Sequence, residues 1–131
     1  MPVTQPLISN SVPAGALPSL WKQAGVEVDI RAVGEALHFN KKEIANAARV
    51  PQGSFSYQGH IPPELQKRLK EWVAVLEVAA AFFGNDLDAT TKWFLTPNPR
   101  LGGAEPRDMI RFGRANKLVR MIQDEAVGNV P

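Results

Sequence analysis

The placement of proline and glycine limits what this chain of 131 residues can fold into. Four prolines fall within residues 1–18, and further prolines separate the longer stretches of helix-forming residues. No stretch of more than four residues alternates apolar and polar side chains as a half-buried strand would. We therefore predict an all-α fold: short helices joined by stiff turns, preceded by an extended N-terminal arm over residues 1–18.

Composition excludes several classes of site and partner. The chain has no cysteine, which rules out disulfide frameworks, cysteine zinc ligands and cysteine nucleophiles, and which fits a reducing compartment. Its formal charge of +2 is too small to indicate nucleic-acid binding by charge alone. The longest apolar run, over residues 73–84, is interrupted by Glu77 and is too short to span a membrane. With no basic leader, we expect a cytoplasmic protein without a membrane partner.

Capping residues and apolar spacing predict the helices of the first half. We expect a short helical turn over Ser19–Ala24 and a helix that is N-capped by Asp29 and runs to about Phe39. Asn40, followed three residues later by Glu43, has the spacing of a capping box and starts the next helix.

The longest helix and the C-terminal helices are predicted in the same way. Two prolines at 62 and 63 open the longest helix, and Gly84 closes it. A helix capped by Asp86 or Asp88 then stops before Pro97, and two further helices cover 106–112 and 114–126, with Gly128 as a C-cap residue. The apolar face of the longest helix comprises Leu65, Leu69, Trp72, Leu76, Ala80 and Phe83.

Residues 42–58 have the length and rhythm of a helix-turn-helix, the motif whose second helix enters the DNA major groove. Val50 and Phe55 are the expected apolar anchors of its turn and second helix. That helix, over 52–58, would present short polar groups to bases and phosphates. The side chains predicted to contact DNA are Lys41, Lys42, Gln52, Ser54, Ser56, Tyr57 and Gln58.

Two residues depart from the motif. Arg49 stands at the turn position where glycine is usual, and Gln58 stands where an apolar residue is usual. Gly53 weakens the second helix by about 1 kcal/mol, and that helix has no Arg or Lys. A packing module that keeps the shape of the motif without holding DNA therefore remains an alternative.

The chain offers little for catalysis. Its two histidines, His38 and His60, have no serine and carboxylate neighbours of the kind that activate a nucleophile. Glu105 and Asp108, three residues apart, are better explained as the first turn of a helix than as an acid/base pair. No HExxH, Walker or GxGxxG motif is present. We predict no catalytic residue, no metal site, no cofactor and no enzyme activity.

A more specific motif covers residues 93–113. It reads W-x-x-x-P-N-x-x-L-G-G-x-x-P-x-D-h-h-R-x-G, where h is apolar. Physically it describes an aromatic-bearing helix, a loop stiffened by prolines, and short helices that fold back. Core packing explains part of this pattern, but the pattern is more specific than packing requires.

This motif resembles that of the Xre/MbcA/ParS antitoxins, which join an Xre-like helix-turn-helix to a C-terminal toxin-binding domain. The resemblance covers about residues 27–127. Departures are mild: Glu105 replaces a frequent Thr, Arg107 replaces an apolar residue, and Phe112 adds bulk before Gly113.

The resemblance implies a partner, a RES-domain toxin that consumes NAD as an NADase or ADP-ribosyltransferase. Antitoxins of this kind cover the NAD cleft of the toxin, commonly form homodimers, and often repress their own operon. Applied to this chain, the resemblance together with the crowding of basic residues near the C-terminus gives these toxin-binding residues: Trp93, Pro97, Asn98, Arg100, Leu101, Gly102, Gly103, Arg107, Arg111, Arg114, Lys117 and Arg120.

The sequence therefore predicts three parts: an arm over 1–18, a helix-turn-helix domain over 19–84 that includes the long helix, and a toxin-binding domain over 85–131. The predicted function is that of an antitoxin that blocks its toxin sterically. The alternative is a DNA-binding transcriptional regulator without a toxin partner.

Overall fold

The structure is a computed structural model that describes residues 16–126. Within that range it contains six α-helices and one short ribbon of two strands, so the predicted all-α class is confirmed. The strands are β1 (Trp21–Gln23) and β2 (Glu27–Val28). The helices are α1 (Ile30–Leu37), α2 (Lys41–Ala48), α3 (Pro63–Ala80), α4 (Leu87–Phe94), α5 (Pro106–Arg111) and α6 (Ala115–Ala126).

Four single 3-10 turns, at Pro18–Leu20, Gln52–Ser54, Ala81–Phe83 and Pro99–Leu101, join these elements. The first corrects the helical turn predicted over residues 19–24, because the chain enters β1 at Trp21 and pairs antiparallel with β2. These strands, of three and two residues, are too short to leave a period of two in the sequence. Most of the predicted arm, residues 1–15, and the predicted C-cap Gly128 lie outside the described residues.

The predicted caps of α1 and α2 are confirmed. The Asp29 carboxylate accepts from the Ala32 amide at 3.1 Å. Asn40 and Glu43 exchange side-chain to backbone hydrogen bonds at 2.8 and 2.9 Å, the reciprocal pattern of a capping box. Between the two helices, Gly34 allows close approach, because a Cβ added there would lie 3.0 Å from the Phe39 carbonyl oxygen.

The long helix α3 is buried along the apolar face predicted from its sequence. Its residues Leu65, Leu69, Leu76 and Ala80 are fully buried, and Trp72 packs edge-on against the Phe39 ring with centroids 6.1 Å apart. Phe83, predicted on the same face, is half-buried on the 3-10 turn that follows. This helix therefore connects the core to the N-terminal elements.

Glu77 of α3 is a buried carboxylate, only 3 % exposed. It accepts from the Leu17 backbone amide and from the Trp21 indole Nε1, both at 3.2 Å. These two hydrogen bonds fasten the start of the described chain and β1 to the middle of the molecule. Glu77, which interrupts the apolar run of residues 73–84 in the sequence, therefore serves as the buried hydrogen-bond acceptor for the N-terminal segment.

The C-terminal helices complete the same core. Asp86 caps α4, accepting from the Ala89 amide at 3.2 Å, and Thr90 inside that helix is buried. The buried side chains Phe94, Ile110 and Leu118 join those of α1–α3 in one apolar cluster. The predicted domain limits at 18 and 84 stay a prediction. None of the described helices is long and apolar enough to cross a membrane.

We expect Glu77→Ala to lower the free energy of unfolding by about 2 kcal/mol, because two buried donors lose their acceptor. Urea unfolding followed by tryptophan fluorescence measures this change. Glu77→Gln keeps an acceptor oxygen and should lose less. Glu71→Ala, on the exposed side of the same helix, is the matched control and should cost under about 1 kcal/mol. Equal losses for Glu77→Ala and Glu71→Ala would contradict the assignment.

Candidate functional site

Asn98 organises the loop between α4 and α5. Its backbone carbonyl accepts from the amides of Leu101 and Gly103 at 2.9 and 3.0 Å. Its side-chain oxygen accepts from the Arg100 backbone amide at 2.9 Å, and the backbone amide of Asn98 donates to the Ala104 carbonyl oxygen. These bonds close the predicted stiff loop on itself, so Asn98 fixes the loop shape.

The double glycine of this loop is required by the backbone. Gly102 and Gly103 have φ angles of 68° and 89°, in the left-handed region that favours glycine. A Cβ at either position would meet no atom within 4 Å, so the requirement is conformational and not steric crowding by neighbours.

The apolar residues of the motif divide between core and surface. The Trp93 ring lies edge-on to the buried Phe94 ring at 5.1 Å and is itself half-buried. Leu101 is half-buried against the core, whereas Pro97 is exposed. The aromatic part of the motif therefore contributes mainly to packing.

Arg107 points into the molecule. Its Nη1 donates to the carbonyl oxygens of Leu37 and His38 at 3.1 and 3.0 Å, and its Nε donates to Glu105 at 2.7 Å. Carbonyl groups at a helix C-terminus lack helical partners and attract cations. Arg107 therefore caps α1 from α5.

Arg111 forms a second link between α5 and the N-terminal helices. Its two Nη atoms donate to Asp108 and to Glu43 of α2, each at 2.8 Å, and its guanidinium lies 5.1 Å from the centroid of the Phe39 ring. Because Glu43 is also the capping-box residue of α2, this ion pair ties α5 to the start of that helix.

The remaining basic residues of the motif region are closer to solvent. Arg100 is paired with Glu125 of α6 at 2.8 Å. Arg114, Lys117 and Arg120 are exposed on or beside α6, and none has an ion-pair partner among residues 16–126. These three residues form a cationic row, called the α6 row below. Of the twelve predicted toxin-binding residues, it is the group most available to a partner, although toxin contact stays a prediction for all twelve.

The predicted second helix of the helix-turn-helix is wrong. Residues 52–54 form one 3-10 turn, and the chain is extended at Phe55, whose φ and ψ are −148° and 163°. The two glycines at 53 and 59 make a helix costly here, and the buried Phe55 anchors the segment in its extended form. At the turn, Arg49 has a φ of 61°, the left-handed conformation that usually selects glycine, so the backbone keeps the conformation of the motif although the residue differs.

The predicted DNA-contacting residues end in different environments. Lys41 lies over the Phe55 ring at 5.2 Å, and Tyr57 lies under the Arg31 guanidinium at 4.5 Å. The Ser54 hydroxyl donates to the Pro51 carbonyl at 2.6 Å. The exposed members of the set are Lys42, Gln52, Ser56 and Gln58. DNA contact by these residues stays a prediction.

Sequence reasoning did not assign a role to two exposed aromatic side chains. Phe112 is 62 % exposed at the junction of α5 and α6, and Phe82 is 49 % exposed on the turn after α3. For Phe112 the sequence carried one indication, its departure from the family pattern, and for Phe82 it carried none. Among the described residues, no three His, Asp or Glu side chains are grouped to hold a metal ion, and both histidines are exposed.

Comparison with known proteins identifies the C-terminal segment. Residues 78–121 match the family model described as the antitoxin Xre/MbcA/ParS C-terminal toxin-binding domain. This segment starts in the last turn of α3 and contains the whole 93–113 motif. The family model therefore matches the same segment that the sequence motif indicated.

Two further comparisons agree. A curated relative named antitoxin Xre, from Yersinia enterocolitica serotype O:8 / biotype 1B, is 27 % identical over 122 residues, covering 77 % of this chain and 82 % of the relative. A chain in the crystal structure of the M. tuberculosis MbcT-MbcA toxin-antitoxin complex aligns with a TM-score of 0.52. That match is 22 % identical and covers 79 % of this chain and 95 % of the other, so it supports the fold alone. Together these findings confirm the predicted resemblance.

Because Arg107 and Arg111 make hydrogen bonds to α1 and α2, their replacement should lower stability, whereas replacement of the exposed Arg114 should not. We expect Arg107→Ala and Arg111→Ala each to lower the free energy of unfolding by about 1–2 kcal/mol, because charge-assisted hydrogen bonds are lost. Arg114→Ala is the control and should change the free energy of unfolding by less than about 0.5 kcal/mol.

A double-mutant cycle tests the ion pair between Arg111 and Glu43. Combining Arg111→Ala with Glu43→Gln should give a coupling energy of about 0.5–1 kcal/mol, and a coupling energy of zero would contradict the ion pair.

Proposed function

We propose that this chain, which resembles the Xre/MbcA/ParS antitoxins in its C-terminal motif, is an antitoxin that neutralises a RES-domain toxin by covering the NAD cleft of that toxin. The NAD-consuming class, an NADase or an ADP-ribosyltransferase, follows from the resemblance. The observation that carries the proposal is the match of residues 78–121 to a toxin-binding domain.

Steric inhibition suits the chemistry of the described residues. A blocking protein needs a shaped surface and no reactive group, and the C-terminal segment offers a stiff loop and a helix held on a packed core. Accordingly, we propose that the chain is not an enzyme and uses neither a metal nor a cofactor in this role.

Different parts of the predicted toxin-binding set take different roles in this proposal. Arg107 and Arg111 position α5 through their bonds to α1 and α2. The α6 row faces outward and is the part that we expect to meet acidic groups at the rim of the toxin cleft. The Asn98 loop sets the shape of the surface beside it.

Autorepression, self-association and a cytoplasmic location are also part of the proposal. A homodimer would place two copies of the α2 region on one operator, the paired arrangement that dimeric DNA-binding proteins use. The transcriptional regulator without a toxin remains the second candidate, and exposed Lys42 at the start of α2 is the observation that favours it.

Reversing the charge of the α6 row tests toxin binding. We expect Arg114→Glu, Lys117→Glu and Arg120→Glu, combined in one chain, to abolish protection when the RES-domain toxin that this proposal expects in the neighbouring gene is co-expressed. The reason is that like charges would then face the acidic rim of the toxin. Colony survival on induction is the measurement.

A control variant with the same change in net charge shows whether the position of the substitutions matters or only the charge. Lys22→Glu, Lys67→Glu and Lys70→Glu alter three exposed lysines outside residues 78–121 and should leave protection intact. Loss of protection in both triple variants would mean that net charge alone matters. Retention in both would remove the α6 row from the interface. If the wild-type chain gave no protection, the antitoxin function itself would be wrong.

A gel shift on the chain's own promoter, repeated across salt concentrations, tests operator binding. Because a single 3-10 turn replaces the reading helix, we expect binding that weakens steeply with salt and prefers the promoter over unrelated DNA by less than about tenfold. Lys42→Glu should weaken binding to both DNAs equally. A preference above a thousandfold would contradict this expectation.

A further inference from the structure

A groove runs between α2, α3 and the junction of α5 with α6. Its volume is about 520 Å³. Trp72, Val75 and Ile110 line it as largely buried apolar residues, and the exposed Phe112 stands at its edge. The groove therefore has a floor of buried apolar side chains, walls that include the polar residues Arg49 and Asn116, and beside it a large aromatic side chain that the fold leaves in solvent.

The backbone around Phe112 is fixed. The Phe112 amide donates to the Asp108 carbonyl at 2.9 Å, the Gly113 amide to Ile110 at 3.1 Å, and the Arg114 amide to Met109 at 2.7 Å. Gly113, with a φ of 72°, ends α5 in the left-handed conformation. The preceding residue, Arg111, is held by its ion pairs to Asp108 and Glu43. Phe112 is thus held on a rigid turn, and a partner that packs on it would lose little ordering entropy.

The charged residues at the groove make its rim basic. Arg68 and Glu71 neutralise each other at 3.1 Å. Arg49 also lines the groove and has no ion-pair partner within residues 16–126, and exposed Arg114 follows directly after Gly113. The uncompensated charge at the rim is therefore positive.

We propose that this groove is a docking site for the toxin: an apolar side chain of the toxin packs against Phe112, and a neighbouring carboxylate of the toxin pairs with Arg49. This inference rests on the proposed function and extends it by a second contact, apart from the α6 row. Phe112 and Gly113 lie within the segment that matches a toxin-binding domain, which favours the toxin as occupant. Aromatic side chains, Phe included, are enriched at protein–protein interfaces.

Charge disfavours a second copy of this chain in the groove. A symmetric pair would bring the Arg49 and Arg114 groups of two basic rims together, and like charges at an interface are repulsive. An acidic partner instead gains attraction from the same two residues.

The groove also has walls from both halves of the chain. Ala47 and Arg49 come from α2 and its C-cap, within the predicted helix-turn-helix, whereas Phe112, Ala115 and Val119 come from the toxin-binding segment. A toxin side chain seated there touches both halves at once.

The proposal is tested by titrating the purified full-length chain with the RES-domain toxin that the proposed function expects in the neighbouring gene. That toxin carries an inactivating substitution in its NAD site. We expect Phe112→Ser to raise the Kd about 30-fold without changing the thermal unfolding midpoint, because the removed ring is exposed in the free chain. Arg49→Glu should raise the Kd about tenfold, mainly by slowing association at low salt. The matched control is Val26→Ser: Val26 is 56 % exposed in the ribbon turn and does not line the groove.

Each outcome has one meaning. A weaker Phe112→Ser complex with an unchanged Val26→Ser complex supports docking in the groove. Wild-type affinity in both Phe112→Ser and Arg49→Glu would overturn it and leave the proposed function standing. Sedimentation of the free chain as a dimer that Phe112→Ser dissociates would assign the groove to a second copy and also overturn it. If the wild-type chain does not bind the toxin, both the function and the docking site are wrong.

Discussion

Burial of α3 on three sides is the constraint on which the rest of the structure depends. One side carries Trp72 against Phe39 and so holds α1 and α2. A second side carries Val75 and Ala79 near α6. The third carries Glu77, which accepts hydrogen bonds from the N-terminal segment. A helix buried this far cannot move without disturbing every neighbour, so the surfaces on both sides of it are fixed relative to each other.

Much of this fold can be predicted from local rules. The caps at Asp29, Asn40 and Asp86 and the apolar face of α3 obey short-range chemistry and spacing, and the structure confirms them. The errors fall where tertiary contacts decide. The ribbon at Trp21 depends on Glu77, fifty-six residues away, and the segment after Pro51 follows the burial of Phe55 and not its helical rhythm.

The candidate site was harder to predict for a related reason. Sequence position places arginines on a helix but does not say which way each side chain reaches. Arg107 and Arg111 reach inward because α1 and α2 happen to present carbonyl groups and Glu43 there, whereas Arg114 meets no such group among the described residues. The exposure of Phe112 likewise depends on how α5 ends at Gly113 and on how α6 then packs, neither of which leaves a periodic pattern.

The inward arginines also limit how such a chain can evolve. Arg107 and Arg111 lie within residues 78–121, the segment that matches a toxin-binding domain, but the Leu37 and His38 carbonyls and Glu43 lie in the N-terminal half. Recombination that joined this segment to an unrelated N-terminal half would remove the acceptors that Arg107 and Arg111 have in α1 and α2 and would leave them only Glu105 and Asp108. Exchange of whole halves therefore costs stability, whereas a substitution at an exposed residue such as Arg114 leaves these links in place.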